Sequence, residues 1–156
     1  MRVVVQRVDQ ARVVIDDREA AAVGGGLMCL LGVAEGDTEE DAAFVARKLI
    51  GLRLFGDEEG RMNLSVLELD PPGSILVVPN FTVCGDTRKG RRPSYAKAAE
   101  PERGKALFEK VCDLIEEAGV KVGRGEFGAH MHCELTNDGP VTVIVESNRG
   151  PADSGS

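Results

Sequence analysis

The sequence is poor in the groups that usually carry nucleophilic or metal chemistry. It has two histidines, His130 and His132, and four cysteines that form no CxxC pair. Isolated Cys29, Cys84, Cys112 and Cys133 lack the spacing of a zinc knuckle or redox motif. They are expected to be small buried hydrophobes without disulfides. No long hydrophobic run is present: the longest, around residues 27–33 and 75–79, fall far short of the ~20 residues of a membrane-spanning helix. The opening MRVVVQR has no signal-peptide pattern, so a cytoplasmic chain with no membrane partner is expected. Positive charge is also short. Nineteen Lys and Arg against 26 Asp and Glu give a net charge of −7, which argues against coating nucleic acid non-specifically and against a DNA partner. Nineteen glycines and seven prolines in 156 residues are too few for low-complexity sequence.

What is there fits one globular domain: 42% hydrophobic and 29% charged residues. Residues 1–8 and 12–16 are β-branched and predict two strands, and the glycine triplet 24–26 predicts a bend before a third strand at 27–33. The triplet has no GK[ST] ending and no following helix, so it is not a phosphate loop. Thr38 with Asp41 predicts a capping box, and Ala42, Val45, Ala46, Leu49 and Ile50 recur at helical spacing. Residues 52–55 and 74–83 predict further strands. Residues 101–118 form the clearest helix, with Leu107, Phe108, Val111, Leu114 and Ile115 on one face and Gly119 as its C-terminal cap. Residues 120–122, 131–136 and 141–146 predict strands, with a turn at 137–140. The expected fold is α+β: a curved or barrel-like antiparallel β-sheet with two main helices, in a single domain over 1–147, followed by a disordered tail over 148–156.

Three features could carry chemistry. His130 and His132 lie two apart on a predicted strand and so share a side, but no third ligand is in view and no metal is expected. Ser65, Ser74 and Ser94 sit in no nucleophile elbow, so triad chemistry is not expected. Arg88, Lys89, Arg91 and Arg92 crowd into five residues between Thr87 and Ser94, which suits either phosphate oxygens or plain solvation. Gly139-Pro140 lies where a turn or a cis peptide would fit equally well.

MRVVVQRV, DTEEDA, MNLSV, FTVCGDTRKGRRPSY and FGAHMHCELTNDGPVT, in this order from Met1 to about Ser147, resemble the D-aminoacyl-tRNA deacylase family. The resemblance implies a cytoplasmic homodimer with no cofactor, acting on aminoacyl-tRNA. The reaction it implies is hydrolysis of the ester between a D-amino acid, or glycine mischarged on alanine tRNA, and the terminal adenosine. It further implies that Gly139-Pro140 is a cis dipeptide reaching into the partner's active site. There its carbonyls would collide with an L side chain and let a D side chain pass. Arg7 matches the arginine that holds this dipeptide. Phe127, Ala129 and Met131 would line the adenosine pocket. Phe81 and Thr82 match the strand-end motif, where backbone donors would orient the ester while the substrate's own 2′-hydroxyl assists attack by water.

The chain departs from the family pattern at three positions. Pro79 and Asn80 stand where Ser-Gln is usual, and His130 replaces an aspartate. Pro79 is shared with a sister group of deacylases that tolerate L-alanine. Two alternatives therefore stand beside the D-specific reading: a deacylase of relaxed chirality, and a catalytically silent RNA-end binder.

Overall fold

In the computed structural model, residues 1–147 are described; the tail expected at 148–156 lies outside them. Eight strands and two helices follow in order: β1 (Arg2–Ile15), β2 (Arg18–Val23), β3 (Gly26–Gly32), α1 (Glu39–Gly51), β4 (Phe55–Gly56), β5 (Met62–Leu64), β6 (Ser74–Pro79), α2 (Pro101–Glu117), β7 (Lys121–Arg124) and β8 (His132–Glu146). The expected α+β architecture is present, with the main sheet ordered β2-β1-β3-β6-β7 and β8 on the other edge of β1. Its ends approach each other: a Cβ added at Gly123 of β7 would lie 3.1 Å from Val23 Cγ1 of β2. The sheet is thereby nearly closed as a barrel.

The sheet is mixed, not antiparallel throughout as expected. β3 pairs with β6, and β6 with β7, in parallel. The cause is the two helices, which sit in the β3–β6 and β6–β7 connections and carry the chain back to the end it left.

Two cores lie on opposite faces of β3 and β6. Leu27, Cys29, Leu31, Ile75 and Val77 face the helices and pack with Leu49, Phe108 and Ile115. Met28, Leu76 and Val78 face the barrel interior and pack with Val8, Ala11, Val13 and Ile15. Burial on both faces accounts for the unbroken apolar runs in these strands. β1 changes layers along its length: Val3 and Val5 belong to the helix-side core, and Val8 onward to the barrel.

That change of layer explains why the two predicted strands at 1–8 and 12–16 are one. β8 pairs with β1 from Arg2 to Val14, with register shifts on both sides of Val8, so pairing continues where the pattern breaks. The predicted turn at 137–140 is likewise a bulge inside continuous β8. Asn137 opposes Val8 and Thr142 opposes Gln6, so residues 138–141 face a single β1 residue, Arg7. Other corrections are smaller. Of the 52–55 segment only Phe55 is strand, as the first residue of β4. The 74–83 strand stops at Pro79 and turns into a 3-10 helix, Phe81–Cys84.

The caps form as expected. The Thr38 N–H donates to Asp41 Oδ2 at 2.8 Å, and Gly119, just beyond α2, takes φ +92°. Gly26 is required by close approach, since a Cβ there would lie 1.9 Å from the Ser74 carbonyl oxygen.

Candidate functional site

The site is built where β6 ends. Asn80 caps the 3-10 helix: its Oδ1 accepts from the Thr82 N–H at 3.2 Å and from the Thr82 hydroxyl at 2.5 Å. Asparagine is short enough to reach the backbone two residues on, which is why it suits such a cap. The hydroxyl of Thr82 is thus committed to an amide oxygen, which cannot take up its proton. Thr82 lacks the base that a nucleophile needs. Its N–H is partly engaged too, whereas the Phe81 N–H has no hydrogen-bond partner among the described residues. Of the two backbone donors expected here, Phe81 is the one left available.

The opposite wall is the loop between β7 and β8. Two glycines shape it: a Cβ at Gly125 would lie 2.9 Å from Pro79 and 3.1 Å from Met131 Sδ, and one at Gly104 of α2 would lie 3.2 Å from Phe127. Phe127 leans on Phe108 of the core, with ring centroids 6.5 Å apart. A cleft of about 360 Å³ results, lined by Asn80, Phe81, Thr82, Ala129, His130 and Met131 among others. A second, mostly apolar cleft of about 310 Å³ adjoins it across Pro79, Phe81 and Gly128, and Phe127 lines that one. The two adjoining clefts therefore bring together Asn80, Phe81 and Thr82 at the strand end with Phe127, Ala129 and Met131, the residues expected to line the adenosine pocket. Cys133 also lines the first cleft and is exposed, contrary to the expectation of four buried thiols; Cys29 and Cys112 are buried and Cys84 half-buried. It lies on the face of β8 that opposes Val13 of β1 and is exposed where that face opens onto the cleft. His130 and His132 do share a side, with rings 5.1 Å apart. Among the described residues, no cluster of three or more His, Cys, Asp or Glu could hold a metal.

Gly139-Pro140 is a cis peptide, exposed at the tip of the β8 bulge. Arg7 grips the base of this bulge. Its Nε lies 2.9 Å from Asp138 Oδ2 and donates to the Asp138 carbonyl at 3.2 Å, while Nη1 donates to the Leu54 carbonyl at 2.7 Å. Arg7 thus bonds the residue before the dipeptide rather than Gly139 or Pro140 themselves. Asn137 completes the clamp by donating to the carbonyls of Arg7 and Val141 at 2.9 and 3.2 Å. Asn137 was not singled out from the sequence; its place directly before Asp138-Gly139 is the signal available. Residues 138–141 line neither cleft of their own chain.

The basic loop is exposed throughout. Arg88 is tied to Asp86, whose carboxyl it holds far below the usual carboxylate range. Lys89, Arg91 and Arg92 make no ion pair among the described residues. Asp86 and Ser94 close the loop with reciprocal backbone bonds of 2.8 and 2.9 Å. Arg88 also borders a separate cleft of about 500 Å³. On that cleft's far side the Met1 ammonium is buried against Asp37 at 2.7 Å and donates to Ser147 Oγ at 2.8 Å. No sequence pattern points to this pair, because it joins a terminus to a turn.

Known proteins resemble this chain in sequence and fold. The family model described as D-Tyr-tRNA(Tyr) deacylase matches residues 4–146. The chain is 49% identical to the D-aminoacyl-tRNA deacylase of Thermotoga petrophila, over 96% of this chain and 99% of that one. It is 50% identical to the enzyme of the same name from Geobacter sulfurreducens, over 94% and 95% of the two chains. Among solved structures, that of the c-Myc DNA Unwinding Element Binding Protein superposes with a TM-score of 0.89 at 33% identity, covering 96% of this chain and all of the other.

Proposed function

The chain belongs to the D-Tyr-tRNA(Tyr) deacylase family, and on that premise we propose that it hydrolyses the ester joining a D-amino acid to the terminal adenosine of tRNA. The observation that carries the mechanism is Thr82 bonded to an amide rather than to a base. With no protein base at the motif threonine, water attacks the ester carbonyl with help from the ribose 2′-hydroxyl. The carbon–oxygen bond to the ribose breaks, the 3′ oxygen takes a proton, and the free D-amino acid and tRNA leave. The protein contributes orientation: Phe127 and Met131 receive the adenosine, and the Phe81 N–H faces the developing oxyanion.

In this reading Gly139-Pro140 is the chiral selector, and it serves the cleft of a second copy. Two features support that: the dipeptide is exposed on a bulge, and it does not line its own cleft. Exposed Ile144, on the same strand, and exposed Met62 and Leu67 are apolar surface available to a homodimer contact. Glycine, having no β-carbon, passes the same filter, so glycine mischarged on alanine tRNA is also a substrate. Lys89, Arg91 and Arg92 meet the phosphates of the acceptor end, which gives a chain of net charge −7 a local attraction to tRNA in the cytoplasm.

A paired time course with D-tyrosyl-tRNA and L-alanyl-tRNA tests this reading. Rapid loss of the D ester alone is expected. Comparable loss of L-alanine would place the protein with the relaxed deacylases that share Pro79, and binding of both without hydrolysis would make it a silent RNA-end binder. Duplex DNA, a ligand suggested only by the name of the structural relative, is disfavoured by the net charge.

A further inference from the structure

Phe81 and Tyr95 are two of the five exposed large apolar side chains among the described residues, at 57% and 40%. They touch each other, with ring centroids 5.3 Å apart and planes at 79°. Tyr95 is the sequence's only tyrosine, and it lines neither of the two adjoining clefts.

The pair is held in place. Tyr95 packs on the backbone of Gly85, where an added Cβ would lie 2.9 Å from its Cε1. Its flanks are fixed as well: Ser94 by its two backbone bonds to Asp86, and the Tyr95 carbonyl by the Ala98 N–H at 3.0 Å. Phe81 forms part of the wall of both clefts. Tyr95 therefore extends that wall outward, and the loop it closes carries the three unpaired cations Lys89, Arg91 and Arg92. A fixed, solvent-facing aromatic surface next to free cations, continuous with a nucleoside-sized cleft, matches single-stranded nucleic acid. Aromatic rings accept the faces of bases, and cations accept phosphates.

We propose that the Phe81–Tyr95 pair is a stacking platform for the nucleotide immediately 5′ of the terminal adenosine. The inference rests on the tRNA-end reading above and extends it. A platform outside the pocket lets the enzyme distinguish a tRNA end from free adenosine nucleotides, which carry the same terminal base without a neighbour.

The probes are adenosine 5′-monophosphate and the trinucleotide CCA carrying fluorescein at its 5′ end, with affinities read by anisotropy and competition. Stacking of one base is worth ~1–3 kcal/mol, so the native protein is expected to bind CCA about 5- to 150-fold more tightly than the mononucleotide. Tyr95→Ala is expected to remove most of that gain while leaving mononucleotide affinity in place. Tyr95→Phe, which keeps the ring, should retain it. An unchanged ratio in Tyr95→Ala, or equal losses for both probes, overturns the platform. So does a native protein that binds both probes alike, although the tRNA-end reading then survives. A native protein that binds neither probe overturns both.

Discussion

Gly139 takes φ +143°, and a Cβ there would lie 2.2 Å from the Val141 nitrogen. Gly139→Ala must therefore reshape the bulge tip, and misplacement on the ångström scale costs on the order of 100-fold in rate. Deacylation of D-tyrosyl-tRNA is expected to fall by at least about that factor, with thermal unfolding little changed because the tip is exposed. Thr82→Ala is expected to behave differently, losing less than about tenfold, since its hydroxyl orients Asn80 and has no base to activate it. A loss as large as that of Gly139→Ala, in a protein that folds and binds, would restore Thr82 as a nucleophile. The cysteines differ in the same residue-level way. Burial pushes the Cys112 thiol up to about 12 and raises Cys29 further, so neither supplies thiolate at neutral pH. Titration with Ellman's reagent should find Cys133 first and Cys84 slowly, with all four thiols reacting only after denaturation. Adenosine 5′-monophosphate should slow Cys133, which lines the cleft.

Among the elements, α2 and β7 are joined by one cation. Arg124 Nη1 lies 2.6 Å from Glu109, and Nη2 lies 2.8 Å from both Asp113 and Glu116. Arg124→Met leaves three carboxylates on one helix face without a counter-charge. A loss of ~1 kcal/mol is expected from denaturant melts at neutral pH. The helices themselves are legible in the sequence, because capping residues and a 3.6-residue repeat are local. The continuity of β1 and β8 is not, because it depends on each strand being the other's partner. Asp9-Gln10 and Asn137-Asp138-Gly139-Pro140 look like interruptions when read alone, and only pairing across the sheet turns them into register shifts. The parallel pairs were hidden for the same reason: β-branched runs announce strands but not direction. Apart from His130, the cleft residues are legible only through family resemblance; residue chemistry alone marks the histidine pair, the basic loop and Gly139-Pro140. The clamp of Asn137 on Arg7 and Val141, and the contact of Tyr95 with Phe81, were missed because nothing local marks them.

At the scale of the whole molecule, the proposed homodimer with a cross-subunit selector has a direct test. Gly139→Ala lacks a working selector and Phe127→Ser a working cleft, so each alone is expected to be nearly inactive. After subunit exchange in an equal mixture, half the dimers are mixed and one of their two sites is intact, giving about a quarter of native activity. No recovery, in a mixture shown by mass to have exchanged, would return the selector to its own chain. The closure of the fold at its terminus is testable too. Asp37 and the Met1 ammonium are both fully shielded, so Asp37→Asn strands a buried charge and should cost ~3–5 kcal/mol of unfolding free energy. The central strands β3 and β6 have a different consequence. Covered by helices on one side and by the curled sheet on the other, their amides become reachable by solvent only when the whole domain opens. In deuterated water, Leu27, Cys29, Ile75 and Val77 should therefore be among the last to take up label, while the β4–β5 hairpin takes it up early. Asn80 and Phe81 follow directly on that slowest strand, so the turn proposed to orient the ester is anchored to the part of the molecule expected to fluctuate least.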